Sequence, residues 1–366
     1  MSLDDFRTLG RSGLVVSPLA LGTMTFGTDR WGTDEGVSEE VFNTYVDLGG
    51  NFVDTADVYS GGRSEEMVGK FIGSRGLREK IVLATKSGFN GGQGVHAGGN
   101  SAKHVHAALE TSLKRMKTDY IDLYWVHVWD LVTPAEELLE TMTNLVRSGK
   151  IRYWGISNTP AWYVAKIATL AAVRGHPAPI ALQYFYSLVS RDIEREHVPL
   201  AKEFGMGIQP WSPLAYGLLT GKYDRKIVED APSREGGLPK DAASKDVERP
   251  DDDKRLDGSN PFGDTLFTER NWAVVDAVKA IASDTGQTPA RIALAWVAGQ
   301  PGVASTLMGV SRADQVTDNA SALEVTLSEN HRAQLNAVSA NDPGTLYSLF
   351  TPAMRNMAVF GGNTVR

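Results

Sequence analysis

The sequence has 366 residues, of which 42% are hydrophobic, so the chain is long and apolar enough to bury a large core. Its net charge of −7 comes from interspersed acidic and basic residues, which argues against nucleic acid or an anionic membrane as the main partner. The chain contains no cysteine, which excludes disulfides, thiolate chemistry and Cys-ligated metals.

The first six residues lack the basic region and the apolar core of a signal peptide. No run of about 18 apolar residues occurs anywhere in the sequence. We therefore expect a cytoplasmic protein that neither crosses nor binds a membrane.

The predicted elements begin with a β-hairpin. Short apolar pieces within residues 6–16, separated by glycines, are typical of two strands joined by a turn. Residues 18–22 follow as the first strand of a larger sheet. The end of that strand, Gly22-Thr23-Met24, lets backbone approach a ligand because Gly22 has no side chain.

Strands and amphipathic helices then alternate along the chain. Val41, Tyr45 and Leu48, for example, mark one face of a helix. The predicted strands are 18–22, 52–54, 81–86, 120–126, 151–156, 179–184, 207–211 and 304–308. The predicted helices are about 39–48, from 64 onward, 103–115, 134–147, 160–173, 194–204, 270–284 and 312–323.

Eight strand-then-helix units in succession imply an all-parallel sheet, and eight parallel strands close into a barrel. We predict an α/β fold, a parallel (β/α)8 TIM barrel with a core at about 18–325, in one domain over 1–366. The alternative is an open doubly wound sheet, which usually carries Gly-x-Gly-x-x-Gly after its first strand. That motif is absent after Gly22, and the glycines at 91–94 and 98–99 are interpreted as flexible loop.

Two segments depart from the barrel pattern. Residues 223–268 are rich in Pro, Gly and charge, which is typical of an extended, solvated loop at the carboxyl face that is either mobile or folds over a ligand. The tail at about 343–366 is apolar, and we expect it to pack on the barrel.

Ionisable side chains stand where three neighbouring strands end. Asp54 ends the second strand with Tyr59 five positions later, Lys86 ends the third, and His127 ends the fourth. A tyrosine with a pKa of about 10 is a poor acid at neutrality unless a nearby cation stabilises its phenolate. Because barrel enzymes place catalysis at the carboxyl ends of strands, we expect the four side chains to converge. No metal is expected, since no helix-spaced third ligand accompanies Asp54 and His127.

The sequence around these residues resembles the aldo-keto reductase family. The resemblance covers about 20–325 and rests on Gly-Asn-Phe-Val-Asp-Thr-Ala-Asp-Val-Tyr at 50–59, Ala-Thr-Lys at 84–86, Asp-Tyr-Ile-Asp-Leu-Tyr at 119–124, and Trp-Ser-Pro-Leu at 211–214. The finer resemblance is to the branch of bacterial reductases and voltage-gated potassium channel β subunits.

By position, the resemblance implies a role for each of the four strand-end residues. Tyr59 would be the general acid that protonates the substrate carbonyl oxygen, and Lys86 would lower the pKa of Tyr59. Asp54 would pair with Lys86, and His127 would orient the carbonyl through a hydrogen bond.

The resemblance also implies the contacts of a nicotinamide cofactor, which hydride chemistry requires because no side chain donates hydride. Ser157, Asn158 and Gln183 would bond the carboxamide, and Trp211 would stack on the nicotinamide ring. The other implied contacts are Gly22, Thr23, Met24, Asp54, Ser212, Pro213, Leu214, Gly217, Leu219, Gly221, Lys222 and Arg255.

The last predicted helix begins after Gly309-Val310-Ser311-Arg312. A helix N-terminus suits an anion, and Arg312 adds the charge that a 2′-phosphate needs, which favours NADPH over NADH. Gly309, however, stands where many family members carry lysine. Contacts to the nucleotide are also expected from Ser311, Gln315, Asp318 and Asn319.

Apolar and aromatic side chains near the strand ends are expected to surround the substrate. They are Met24, Phe26, Trp31, Phe89, Trp129 and Tyr186, beside Tyr59 and His127. Such walls fit an aromatic, alicyclic or terpenoid carbonyl compound better than a phosphorylated sugar.

The sequence thus predicts reversible, NADPH-dependent reduction of aldehydes or ketones. The alternatives are NADP-dependent oxidation of a secondary alcohol and a cofactor-binding regulatory subunit with slow catalysis; a homo-oligomer is compatible with either.

Overall fold

The fold is a barrel of eight parallel strands ringed by helices. The computed structural model describes residues 2–28, 32–223, 225–229, 255–256 and 264–365. A hairpin of β1 (Arg7–Thr8) and β2 (Val15–Val16) precedes it. The barrel strands are β3 (Leu19–Gly22), β4 (Phe52–Asp54), β5 (Val82–Ser87), β6 (Ile121–Val126), β7 (Ile151–Ser157), β8 (Ala181–Phe185), β9 (Gly207–Trp211) and β10 (Thr306–Gly309).

The strands follow one another in chain order around the sheet, and β10 lies beside β3. The barrel closes between β9 and the segment that leads into β10. There the N–H of Ile208 in β9 donates to the Gly302 carbonyl oxygen at 2.8 Å. The Ala304 N–H in turn donates to the carbonyl oxygen of Ile208 at 2.9 Å. The predicted N-terminal hairpin and parallel (β/α)8 TIM barrel are confirmed.

The helices begin and end at residues with the expected capping chemistry. Asp34, Ser101 and Thr268 accept backbone N–H bonds at helix N-termini, and Gly175 ends a helix in the left-handed conformation. The helices are α1 (Glu35–Asp47), α2 (Arg63–Ser74), α3 (Ala102–Met116), α4 (Ala135–Arg147), α5 (Ala161–Arg174), α6 (His197–Phe204), α7 (Arg225–Glu229), α8 (Glu269–Thr285), α9 (Pro289–Ala298), α10 (Ala313–Ala320), α11 (Glu329–Val338), α12 (Gly344–Tyr347) and α13 (Pro352–Met354). Within the described ranges, no helix is both long and apolar enough to cross a bilayer.

The hairpin closes the amino-terminal end of the barrel. Leu9 and Val16 are fully buried and pack with Phe52, Leu123 and Trp125 in the barrel interior. The hairpin turn is held by the Arg11 N–H, which donates to the Gly205 carbonyl oxygen at 2.7 Å. The carboxyl ends of the strands therefore form the open face.

The tail does not pack as the sequence predicts. Leu349, Phe350 and Met357 are largely exposed, so the expectation that this apolar segment is buried on the barrel is wrong. Its attachment is mainly polar, since the Tyr347 hydroxyl bonds Glu196 and the Arg195 guanidinium lies over the Tyr347 ring. Of the predicted loop insertion at 223–268, the structure describes residue 223, α7, residues 255–256 and residues 264–268.

Candidate active site

Three adjacent strand ends bring the predicted ionisable residues together. Asp54 is the last residue of β4, Lys86 lies near the end of β5, and His127 follows β6 directly. Tyr59 opens a short 3₁₀ turn between β4 and α2. Because β4, β5 and β6 are parallel neighbours, all of these residues stand at the same rim.

The Lys86 ammonium is the centre of this group. It forms a buried ion pair with the Asp54 carboxylate, and it donates to the Thr55 carbonyl oxygen at 2.8 Å. Its Nζ lies 3.3 Å from the Tyr59 hydroxyl. The Tyr59 and His127 rings meet edge to face with their centroids 6.0 Å apart. The structure therefore gathers Asp54, Tyr59, Lys86 and His127 at the open face.

Burial governs the electrostatics of the group. Burial raises the pKa of Tyr59, and the Lys86 ammonium opposes that rise. Burial would lower the pKa of Lys86, but Asp54 and Tyr59 raise it overall, so the ammonium stays charged. Burial and then the Lys86 charge lower the pKa of His127 well below its ordinary value, so the imidazole is neutral. The sequence predicts that Lys86 lowers the pKa of Tyr59. In the protein without cofactor the pKa of Tyr59 is raised overall, and Lys86 only limits that rise.

A second layer of amides holds the strand ends in place. Gln183 Nε2 donates to Asp54 Oδ2 at 3.0 Å and to Gln209 Oε1 at 2.7 Å. Asn158 Nδ2 donates to the His127 carbonyl oxygen at 2.9 Å, and Asn158 Oδ1 accepts from Trp211 Nε1 at 3.1 Å. The amide nitrogens of Gln183 and Asn158 are thus engaged with protein, and Asn158 Oδ1 has one further lone pair besides the bond from Trp211 for the predicted carboxamide contact.

The sequence missed Gln209 in this layer. It is fully buried in the middle of β9, where a single polar residue carries no strand-end signal. The structure assigns it to orienting Gln183, and through Gln183 the Asp54 carboxylate.

The segment after β9 forms a cradle with positive charge nearby. Ser212, Ala215, Tyr216 and Gly217 all have positive φ, a backbone arrangement that suits an anion. Lys222 lies over Gly217, where an ideal Cβ would come within 2.6 Å of the lysine Cε. The segment has two cations nearby, a run of positive φ, and partly exposed Ser212 and Leu214, which together suit the predicted pyrophosphate contact.

The second of those cations is Arg255. Its Nη1 lies 4.0 Å from the place that a Cβ at Gly309 would take. Burial lowers the pKa of Arg255, while the nearby Tyr216, Tyr223 and Tyr59 raise it. The predicted basic residue of the long loop therefore lies close to the end of β10.

Several predicted cofactor contacts are covered by protein. The Leu219 side chain is fully buried in the core, and the contact of this residue to a pyrophosphate stays a prediction. The buried hydroxyls of Thr23 and Ser157 donate to the carbonyl oxygens of Asp54 and Gln183, at 3.1 and 2.8 Å. These two side chains position strand ends, while Gly22 and Met24 remain partly exposed. Pro213 is buried, and Gly221 lies against Lys279.

The turn into α10 carries the residues that are predicted to contact the nucleotide. Arg312 is half exposed and lies beside Asp314. Gln315 Oε1 accepts from the Ser311 N–H at 2.8 Å, which orders the turn into the helix. Asp318 is paired with Arg291 at 2.8 Å, and Asn319 is buried. The predicted nucleotide contacts thus fall mainly to Arg312, Ser311 and Gln315.

The predicted substrate walls divide into two groups. Phe89 lies edge to face on His127 with centroids 4.6 Å apart, and the backbone N–H of Trp129 donates to the Asn158 backbone carbonyl oxygen at 3.3 Å. Phe26 and Tyr186 are core residues instead, packed on Phe71 and on Trp296, so their assignment to the pocket is wrong. Phe26 and Tyr186 follow strand ends in sequence but point between the barrel and its helices. Trp31 lies outside the described residues.

No group of three or more His, Asp or Glu side chains comes together to hold a metal ion in the described part of the chain. Lys86 satisfies one oxygen of Asp54 and Gln183 the other. The four rim side chains can supply proton transfer and hydrogen bonding.

Comparison with known proteins gives one consistent result. The aldo/keto reductase family matches residues 18–340. A protein of Oryza sativa subsp. japonica named probable voltage-gated potassium channel subunit beta is 35% identical over 87% of this chain and 91% of its own length. Norsolorinic acid reductase B of Dothistroma septosporum is 32% identical over 90% of this chain and 80% of its own. YrpG of Bacillus subtilis, named an uncharacterized oxidoreductase, is 33% identical over 91% and 95%.

The match spans all eight barrel strands and the rim that carries Asp54, Tyr59, Lys86 and His127. This chain belongs to the aldo/keto reductase family.

Proposed function

We propose that the protein is an NADPH-dependent oxidoreductase that reduces an aldehyde or ketone to the alcohol, reversibly. The observation that carries the proposal is the buried Lys86 ammonium 3.3 Å from the Tyr59 hydroxyl, with Asp54 on its other side. An acid placed this way at the open face of a barrel suits carbonyl reduction. Relatives named as reductases and oxidoreductases support the same class of reaction.

Each residue of the group has a distinct part in the chemistry. The Tyr59 hydroxyl donates its proton to the carbonyl oxygen as negative charge develops there. Lys86 stabilises the phenolate that remains, because its ammonium is within hydrogen-bond reach and little water screens the pair. Asp54 keeps Lys86 charged, and neutral His127 hydrogen-bonds the carbonyl to set its direction.

A nicotinamide cofactor, when bound, supplies the hydride that no side chain can donate. The cradle at Ser212–Gly217 with Lys222 and Arg255 would hold its pyrophosphate. The exposed part of Trp211 would face the nicotinamide ring, and the carbonyl oxygens of Asn158 and Gln183 its carboxamide. The half-exposed Arg312 would meet a 2′-phosphate, which is the reason for proposing NADPH.

The walls beside His127 indicate the substrate class. Phe89 packs edge to face on His127, Trp129 is partly exposed and packs on Trp162 and Tyr163, and Met24 is partly exposed just after β3. Such surface stabilises a ligand by apolar contact and ring packing rather than by charge. We therefore propose an aromatic, alicyclic or terpenoid carbonyl compound, or the corresponding secondary alcohol in the opposite direction.

A second candidate function comes from the relatives named as potassium channel β subunits, one of which is matched over 91% of its length. In that case cofactor binding would serve a regulatory partner and turnover would be slow. The four rim residues suit both functions, so turnover decides between them.

The test is an assay of NADPH oxidation at 340 nm with 4-nitrobenzaldehyde and a set of aromatic and alicyclic ketones. The reverse reaction is followed with NADP+ and secondary alcohols. We expect turnover with at least one carbonyl compound. Tight cofactor retention without turnover in either direction would instead favour the regulatory function.

A further inference from the structure

The loop that carries Tyr59 is strained and is held from outside the barrel. Ser60, Gly61 and Gly62 follow Tyr59 with φ of 51°, 65° and 99°, three left-handed residues in succession. This conformation is unfavourable for Ser60, which has a side chain, whereas Gly61 and Gly62 adopt it readily. One support is Ser60, whose hydroxyl donates to the Phe26 carbonyl oxygen at 2.7 Å.

Arg115 of α3 supports both ends of the same loop. Its Nη1 donates to the Asp57 carbonyl oxygen at 2.9 Å, two residues before Tyr59. Its guanidinium also fills the space beside Gly62, where an ideal Cβ would come within 2.2 Å of Cζ. The guanidinium therefore spans the loop from residue 57 to residue 62.

Glu65 fixes the guanidinium and ties it to the strand of Lys86. The fully buried Glu65 carboxylate accepts from Arg115 Nη1 at 2.9 Å through one oxygen. Its other oxygen accepts from the Thr85 hydroxyl at 2.7 Å, one residue before Lys86. The Asp57 N–H donates to the Lys86 carbonyl oxygen at 3.1 Å, a second tie between the loop and this strand.

We propose that Arg115, held by Glu65, is a positioning residue that sets the Tyr59 hydroxyl relative to the Lys86 ammonium and the substrate carbonyl. The inference rests on the proposed reductase function and adds a residue on an outer helix to it. Arg115 contacts loop backbone and Glu65, so it acts through Tyr59. Both bonds leave from Nη1, while the rest of the planar guanidinium fills the space beside Gly62, which the ammonium of a lysine would not fill.

The chain offers a matched control at the opposite end of the barrel. Arg78 Nη1 pairs with Asp122 at 2.8 Å, and its Nη2 donates to the Tyr120 carbonyl oxygen at 2.8 Å. Like Arg115 it is a partly buried arginine that bonds one carboxylate and one loop carbonyl, but it lies at the amino-terminal ends of the strands. Losing Arg78 should reduce stability without moving Tyr59.

The experiment compares Arg115→Met, Arg115→Lys and Arg78→Met with wild type. The measurements are kcat and KM for a carbonyl substrate, the cofactor Kd by fluorescence, and the fraction of cofactor-binding sites. A misplaced acid costs rate rather than binding, so we expect Arg115→Met to lower kcat about 10- to 100-fold. KM and cofactor Kd should stay within about twofold of wild type. Arg115→Lys should recover part of kcat, and Arg78→Met should keep it.

The outcomes separate this inference from the proposed function. Wild-type turnover with unchanged kcat in Arg115→Met, or an equal loss of kcat in Arg78→Met, would overturn the inference alone. Absence of turnover in wild type overturns the proposed function and the inference together. If Arg115→Met does not fold, Arg115→Lys decides: a lower kcat at unchanged KM supports the inference, and an unchanged kcat overturns it.

Discussion

The charge of one buried side chain, Lys86, sets the chemistry on both sides of it. Its ammonium lies between the Asp54 carboxylate and the Tyr59 hydroxyl, and it has no exposed surface. An ammonium in water would lose most of its influence on a phenol through solvent screening. Burial therefore strengthens the effect of the Lys86 ammonium on the Tyr59 hydroxyl, and Asp54 keeps the buried ammonium charged.

Arg312 provides a test of cofactor preference at the scale of one residue. Its half-exposed guanidinium stands at the start of α10, where a 2′-phosphate would distinguish NADPH from NADH. We expect Arg312→Ala to weaken NADPH binding by about 1–3 kcal/mol and to leave NADH nearly unchanged. Titration of the two cofactors by intrinsic fluorescence measures both, and equal losses would contradict the phosphate assignment.

The raised pKa of Asp57 predicts that the stability of the fold depends on pH. Burial, and then repulsion by Glu65, raises its pKa to about 7, against about 4 in an unfolded chain. The folded protein therefore keeps a proton that the unfolded chain has lost, and stability falls as pH rises through this window. The groups facing Asp57 are Glu65 from α2, Arg115 from α3, Lys86 from β5 and Tyr124 from β6.

The measurement is urea unfolding of wild type and Asp57→Asn between about pH 5 and pH 8. We expect Asp57→Asn to gain stability relative to wild type as the pH increases, because the amide has no charge to bury. Replacing the exposed Asp119 by Asn serves as the control. A difference between Asp57→Asn and wild type that stays constant with pH contradicts the raised pKa.

Among the elements, α2 contains two glycines in opposite situations. A Cβ at Gly69 would come within 2.5 Å of Met116 Cα, where α2 packs on α3, whereas a Cβ at Gly73 would meet nothing within 4 Å. We expect Gly69→Ala to lower the free energy of unfolding by about 1–3 kcal/mol through overpacking. Gly73→Ala should raise it by about 0.5–1 kcal/mol, because alanine restricts the unfolded chain. Urea midpoints at constant m-value test both, and a loss in Gly73→Ala would contradict the argument.

The strand ends could be predicted from the sequence, whereas two of the helices could not. Strand ends marked by Asp54, Lys86 and His127 could be predicted, because parallel strands bring their carboxyl ends to one rim. Helix α9 was missed because every residue from Ile292 to Ala298 is buried, which leaves no polar face there to give a helical period. Helix α11 was missed for the opposite reason, since Leu335 is its one buried residue.

Side-chain direction was the least predictable property of the site. Phe26 and Tyr186 are close in sequence to strand ends, yet they point into the layer between barrel and helices. The tail residues are apolar, but their exposure depends on the surface beneath them, which local composition does not encode. Gln209 and Arg115 act through partners distant in sequence, Gln183 and Asp57.

For the whole molecule, the hairpin determines which end of the barrel is open. Leu9 has no exposed surface and fills the amino-terminal end of the interior together with Val16 and Trp125. We expect Leu9→Ala to cost about 2–5 kcal/mol in the free energy of unfolding, with kcat unchanged, because the site lies at the other end. Val15→Ala, on the exposed side of the hairpin, is the control for urea unfolding. A large fall in kcat at full folding would contradict this separation.

The central claim is that the rim of this barrel assembles an acid from Tyr59 and Lys86 for carbonyl reduction. The most direct test measures kcat and NADPH affinity for Tyr59→Phe, which removes one oxygen and leaves the ring beside His127. We predict that turnover falls by at least about 100-fold while NADPH binds as in wild type. Activity close to wild type in a correctly folded Tyr59→Phe protein would contradict the claim.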